Sequence, residues 1–283
     1  MPSSSPPSTP ADAGRSRSLL VTLFHKFGSP RWFFDLSGRL IPWLAVASLL
    51  LLVGGAIWGL LYAPPDFRQG NSFRIIYIHV PASMLAMAGY VAMAIFGAIS
   101  LIWRMKLAEV AMKCAAPIGA ALTFVALLTG AIWGKPTWGT WWVWDARITS
   151  VLVLFFLYMG VIALYEAFEN QQAAAKACAV LSLVGVVNIP IIYWSVEWWF
   201  SLHQPATLKI VGKSTMAPSM LYPLLLMIGG FYCFYALALV VHMRGEILRR
   251  ERSTQWVREL VAARFPADFP KIPAKPSSPE THA

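Results

Sequence analysis

Charge is what this sequence most lacks. Only 13% of its 283 residues are charged, while 58% are hydrophobic. A soluble domain carries about a quarter charged residues. Acidic residues are scarcest, 13 Asp and Glu against 23 Lys and Arg. A chain this poor in charge has too little polar surface to solvate a globular fold, which excludes an ordinary soluble domain and leaves a polytopic membrane protein. Cysteine is nearly absent as well. Cys114, Cys178 and Cys233 are scattered through apolar segments without a CxxC or other metal spacing. They read as small buried hydrophobes, so neither a disulfide framework nor a thiolate metal centre is indicated. No Gly-x-x-x-x-Gly-Lys-[Ser/Thr] phosphate loop occurs, so any dependence on ATP has to come from a partner.

What is present is a series of long apolar runs. Six of them, at 41–62, 76–102, 115–133, 148–168, 177–196 and 218–242, each approach the ~20 residues that cross a bilayer. Backbone polar groups in lipid must be satisfied within the segment, so the expected fold is all-α, a bundle of six transmembrane helices. Residues 1–18 are Ser- and Pro-rich and are expected to be disordered, with no signal-peptide pattern following them. Residues 19–40 read as an amphipathic lead-in along the membrane surface. The division expected is therefore an arm at 1–40, a six-span domain at 41–243, and a basic then Pro-rich tail at 244–283.

The net charge of +10 would suit nucleic acid, but its placement argues for the lipid bilayer instead. With the N-terminus inside, seventeen of the 23 Lys and Arg fall on the inner side. Arg68, Arg74, Lys135, Arg147, Lys209 and Lys213 fall outside. That asymmetry orients the chain with both termini cytoplasmic and puts 63–75, 134–147 and 197–217 on the outer, periplasm-like face.

Tryptophan collects on that face. Trp133, Trp138, Trp141, Trp142 and Trp144 lie within twelve residues, followed at once by Asp145 and Arg147. The stretch is too rich in Gly and Pro to read as a span and too aromatic for a solvated loop. An aromatic interfacial belt is the alternative to a binding platform, although a belt alone would be spread more evenly. Two histidines share the side: His79 in Tyr-Ile-His79-Val-Pro-Ala-Ser and His203 in Ser-Leu-His203-Gln-Pro-Ala-Thr. Hydrogen-bonded interface histidines and a pair of axial ligands to haem both fit these residues. A zinc site would need a third or fourth ligand. Indole faces can line a porphyrin, and Arg147 can either pair with a propionate or snorkel at the interface. Asp145 stands where a helix N-cap is expected. Its i, i+2 spacing from Arg147 argues against a local ion pair. Glu197 reads as an interfacial carboxylate or a partner for a histidine, and Asn188 as a hydrogen bond across helices.

The string Trp133-Gly-Lys-Pro-Thr-Trp138-Gly-Thr-Trp141-Trp142-Val-Trp144-Asp145-Ala-Arg147, with the two His-x-Pro segments, resembles the tryptophan-rich WWD signature of the haem-handling membrane proteins of cytochrome c maturation. The resemblance covers about residues 40–245. Six spans favour its CcmC branch over the longer CcmF and CcsA branches. It implies haem b as the bound group, with His79 and His203 as the axial ligands of its iron. Trp133, Trp138, Trp141, Trp142, Trp144 and Asp145 would form the haem platform and the docking surface for the haem chaperone CcmE, and Arg147 matches the arginine of the motif. The further partners implied are CcmD and the CcmA–CcmB ATP-binding-cassette pair. The function implied is haem delivery at the periplasmic face of the bacterial inner membrane, with no enzymatic step in this chain. A b-type cytochrome redox subunit and a permease moving haem across the bilayer are the alternatives. The first would want histidine pairs within the spans, and the second a more polar path.

Overall fold

A computed structural model describes residues 28–199, 201–203 and 216–265. The readings made for 1–18, for Lys209 and Lys213, and for the Pro-rich end of the tail lie outside these residues.

Helix α1 (Pro30–Ile57) starts where Ser29 accepts a hydrogen bond from the Trp32 amide and Pro30 takes the first position. It runs into a π-helical turn, Trp58–Tyr62. A 3-10 turn, Asn71–Ile75, leads into α2 (Ile76–Trp103), which ends at Arg104 in the left-handed region. Helix α3 (Lys106–Trp138) is followed by α4 (Ala146–Ala167). The fifth crossing is broken into α5 (Gln171–Gly185) and α6 (Asn188–Trp198). Pro190 accounts for the break, because it has no N–H to return to the Val186 carbonyl. Helix α7 (Pro218–Arg250) and a short α8 (Gln255–Arg264) complete the fold. Six of these stretches are long and apolar enough to cross a membrane, and no strand occurs among the described residues, so the protein is an all-α polytopic membrane bundle.

The helices outrun the apolar runs that announce them. Residues 30–40, expected as a separate lead-in, are the first turns of α1, and the beginning of the expected tail is the last part of α7. Hydropathy marks only the lipid-immersed part of a helix. Thirty-three residues at ~1.5 Å each reach about 50 Å, against a hydrocarbon core of about 30 Å.

Helices α2 and α3 pack along each other at the centre, α1 pairs with α7, and α4 lies against α3 and α5. Lipid tails are as apolar as Leu, so close packing rather than water exclusion holds such helices together. The central contact is accordingly built from Ala115, Ala116, Ala120, Ala174, Ala175 and Ala179 around two fully buried tyrosines, Tyr90 and Tyr158. The Tyr158 hydroxyl donates to the Ala86 carbonyl at 2.8 Å, and its ring lies against Gly119. Near the C-terminal end of α7, Glu246 accepts from Lys113 of α3 at 3.2 Å and from Arg250 at 2.7 Å. There Arg244 stacks over Phe34 at 3.6 Å and donates to its carbonyl, which fastens the start of α1 to the end of α7.

Candidate functional site

The tryptophan stretch divides in two. Trp133–Trp138, expected as part of a connection, forms the last turns of α3. The overshoot of this helix beyond the hydrocarbon core carries its indoles to the interface. Gly139 then takes φ 78 and ends the helix, a conformation that glycine adopts without a side-chain penalty. Only the segment from Gly139 to the N-cap Asp145 is non-helical.

His79 sits on α2 and faces α3. Its Nδ1 is 3.1 Å from Thr129 Oγ1, and its ring meets the edge of Trp133 at 5.7 Å between centroids. Gly130 lies against the same ring, where a Cβ would stand 3.1 Å from Cε1. Trp133 is itself held, its indole N–H donating to Gln69 Oε1 at 2.8 Å. Gln69 belongs to a turn closed by Asp66, whose carboxylate accepts from the amides of Arg68 and Gln69.

His203 follows α6 and packs on Trp138 at 4.9 Å between centroids. Asp145 arranges this histidine. One carboxylate oxygen caps α4 by accepting from the Ile148 amide at 2.8 Å, the N-cap role expected of it. The other accepts from Ser201 Oγ at 2.5 Å, and Ser201 Oγ accepts in turn from the His203 amide at 3.1 Å. His203 Nδ1 lies 3.5 Å from that second oxygen. The contact is electrostatic, since it lacks hydrogen-bond geometry and Nδ1 is buried without a hydrogen-bond partner.

Burial by itself would raise the Asp145 carboxyl, but the hydrogen bonds from Ser201 and the Ile148 amide and the nearby His203 outweigh it and hold it below the usual carboxylate value. Burial pushes His203 down; Asp145 offsets part of this and Arg147 adds to it. His203 is therefore a neutral imidazole at pH 7, the form that can donate a lone pair to a metal. A depressed carboxylate contributes stability that is complete above its unfolded pKa of about 4 and is lost as pH falls through the lower folded value. Thermal melting of the detergent-solubilised protein is thus expected to weaken below about pH 4. Asp145→Asn should lower melting at pH 7 and flatten that acid limb; an unchanged acid limb would show that Asp145 does not set it.

Arg147 does not pair with Asp145. It donates through Nε to Ser195 Oγ at 3.3 Å and through Nη2 to the Tyr193 carbonyl at 3.0 Å, clamping α4 to α6. Two of its N–H groups therefore serve the fold. Asn188 bonds across helices as expected, donating to the Ser150 carbonyl at 2.8 Å. Glu197 is exposed on α6, and the contacts at the imidazole Nδ1 atoms are with Thr129 and Asp145 instead. Trp141 and Trp144 are the outward members of the signature, 57% and 74% exposed, and Trp142 packs edge-on against Trp144 at 5.4 Å.

Both imidazoles thus stand at one end of the bundle, each turning Nδ1 towards a protein oxygen and each resting on a tryptophan of the signature. They are near enough to interact electrostatically. This donor set fits haem, since axial imidazoles need one nitrogen bare and the other oriented by the protein. Gly130 keeps the space beside His79 clear. Two cavities of about 360 and 540 Å3 lie elsewhere, lined by residues such as Arg104, Gln171 and Arg250, and neither histidine borders them. Sequence reasoning did not find Thr129, Ser201 or Gln69. Thr129 carried a usable signal, for it precedes Trp133 by one helical turn and so shares its face.

Comparison with known proteins agrees with the signature. The family model described as CcmC, heme exporter protein C, matches residues 23–258. Heme exporter protein C of Escherichia coli K12 is 50% identical over 240 residues, covering 85% of this chain and 97% of that protein. The Haemophilus influenzae protein of the same name is 48% identical over 236 residues, 83% of this chain and 96% of its own length. That of Paracoccus denitrificans is 41% identical over 235 residues, 83% and 97% respectively. With six crossing helices and this coverage, the chain belongs to the CcmC family, the heme exporter C proteins, and is a multi-pass bacterial membrane component of haem handling in cytochrome c maturation.

Proposed function

We propose that this protein holds haem b at the periplasmic face of the inner membrane and presents it to the chaperone CcmE. The observation that carries the reading is the convergence of His79 and His203 at the tryptophan end of the bundle, each with its Nδ1 turned to a protein oxygen. Haem is cargo here, and two imidazoles would fill both axial positions, which suits storage and hand-over more than oxygen chemistry. His79 and His203 bind the iron through Nε2. Trp133 and Trp138 support the imidazoles, burial keeps His203 neutral, and Asp145 holds its segment in place through Ser201. Trp141 and Trp144, the most exposed indoles of the signature, offer the docking surface for CcmE. The outer location follows from the Lys and Arg distribution, which leaves both termini in the cytoplasm. CcmD and the CcmA–CcmB transporter are the membrane partners of this reading, the latter supplying the ATP dependence that this chain has no motif for.

The purified protein, oxidised and then reduced, should show the visible spectrum of a bis-imidazole b-type haem. On addition of purified apo-CcmE, that haem should move to the chaperone. A preparation that remains colourless after incubation with haem would refute the reading; one that binds haem but never yields it to CcmE would refute the hand-over.

A further inference from the structure

We propose that Thr129 is a positioning residue that sets the tautomer of His79, so that Nε2 always carries the bare lone pair. The proposal rests on the reading of His79 as a haem ligand. It concerns the protons on the protein side of that ring.

A neutral imidazole bears one N–H, and the nitrogen that carries it is decided by its hydrogen-bond partners. The His79 side chain makes a close polar contact between Nδ1 and Thr129 Oγ1, at 3.1 Å. A hydroxyl can act either way towards a ring nitrogen, so the direction is decided by where its single proton goes. Thr129 Oγ1 is 2.6 Å from the Val125 carbonyl oxygen one turn earlier on α3, and 3.3 Å from that of Ala126. A carbonyl oxygen has no proton to give, so the short contact can exist only with the threonine proton pointed at Val125. Towards His79 the threonine oxygen is therefore an acceptor. An acceptor there demands the proton on Nδ1, and Nε2 is left as the donor atom for a metal.

Packing fixes the ring as well as its proton. Gly130 follows Thr129 immediately and Trp133 lies one turn further, so the ring is bounded on one helix face by a hydroxyl, a bare backbone and an indole edge. The two imidazoles are consequently supported unequally. His203 Nδ1 faces the charged Asp145, whereas His79 Nδ1 faces a neutral hydroxyl. A carboxylate partner raises the basicity of a ligating imidazole more than a hydroxyl does. His79 is thus the weaker of the two donors, the one placed to let go first when haem is passed on.

The test uses the full-length protein in detergent with Thr129→Val, which keeps the shape and removes the acceptor, and Thr129→Ser, which restores it. In haem-free protein labelled with 15N-histidine, the wild type and Thr129→Ser should show a single Nδ1–H tautomer for His79, assigned by loss of its signals in His79→Ala. Thr129→Val should show both tautomers. After loading with haem, release to an apo-myoglobin scavenger should be about tenfold or more faster from Thr129→Val, and the reduction potential should move, with Thr129→Ser close to wild type. A single unchanged tautomer in Thr129→Val together with wild-type release would overturn the proposal. If His79→Ala keeps the wild-type haem spectrum, the ligand reading fails, while the tautomer measurement still decides what Thr129 does to the ring.

Discussion

The double variant His79→Ala, His203→Ala is expected to purify without haem under conditions in which the parent protein retains it. Each single variant should keep one axial nitrogen and bind more weakly, with faster loss to a scavenger and a spectrum no longer that of a bis-imidazole haem. The two rings converge at the same end of the bundle and are held through Trp133 and Trp138. The third described histidine, His242, is exposed on α7. The singles should not be equivalent. Removing His203 deletes the donor supported by Asp145 and should cost more haem than removing His79. Absorbance ratios of Soret to protein bands, measured on all three variants after the same purification, would check this. A double variant with an unchanged bis-imidazole spectrum would move the ligands elsewhere.

Gly119→Ala should be a strongly damaging single-methyl change in the membrane core. A Cβ at this position would lie 2.2 Å from Cε1 and Cζ of Tyr158. Tyr158 cannot step aside easily, because it is fully buried and its hydroxyl is committed to the Ala86 carbonyl. Overpacking of this kind costs about 3 kcal/mol, while replacing Gly by Ala inside a helix returns only about 1 kcal/mol. The clash wins, and α3 must move away from α4. Gly54→Ala is the matched control, since nothing lies within 4 Å of its Cβ position. It should be neutral or slightly stabilising. Thermal aggregation of the two variants in one detergent separates the outcomes; a Gly119→Ala protein as stable as Gly54→Ala would mean that the α3–α4 contact is not as described.

Much of this was legible in residue order because lipid restricts the choices so strongly. Long apolar runs can only be helices, since lipid offers the backbone no other partner. Asp145 was readable as an N-cap from its place before an apolar run, and Asn188 as an interhelical donor from its polarity inside one. The ends of the helices were not legible, for hydropathy stops where the hydrocarbon stops while the hydrogen-bonded helix continues into the interface. That is why Trp133–Trp138 looked like a loop and is the end of α3, and why residues 30–40 belong to α1.

The role of Arg147 shows the other limit. Its charge and position left it open to an external anion, yet Ser195 and the Tyr193 carbonyl take two of its N–H groups. Those partners lie on a different crossing, and nothing in the residues around Arg147 points to them. The same holds for Thr129, which is an ordinary back-bonded threonine on α3 until α2 brings His79 against it.

Sequence alone thus determined the class of the protein, its six crossings and the chemistry gathered at one end, because each depends on composition and short-range order. Tertiary structure decided which oxygen each histidine faces, how the signature divides between helix and turn, and which arginine contacts serve the fold. Those depend on contacts between residues some fifty positions apart, such as His79 with Thr129 and Asp145 with Ser201, and only helix packing sets them.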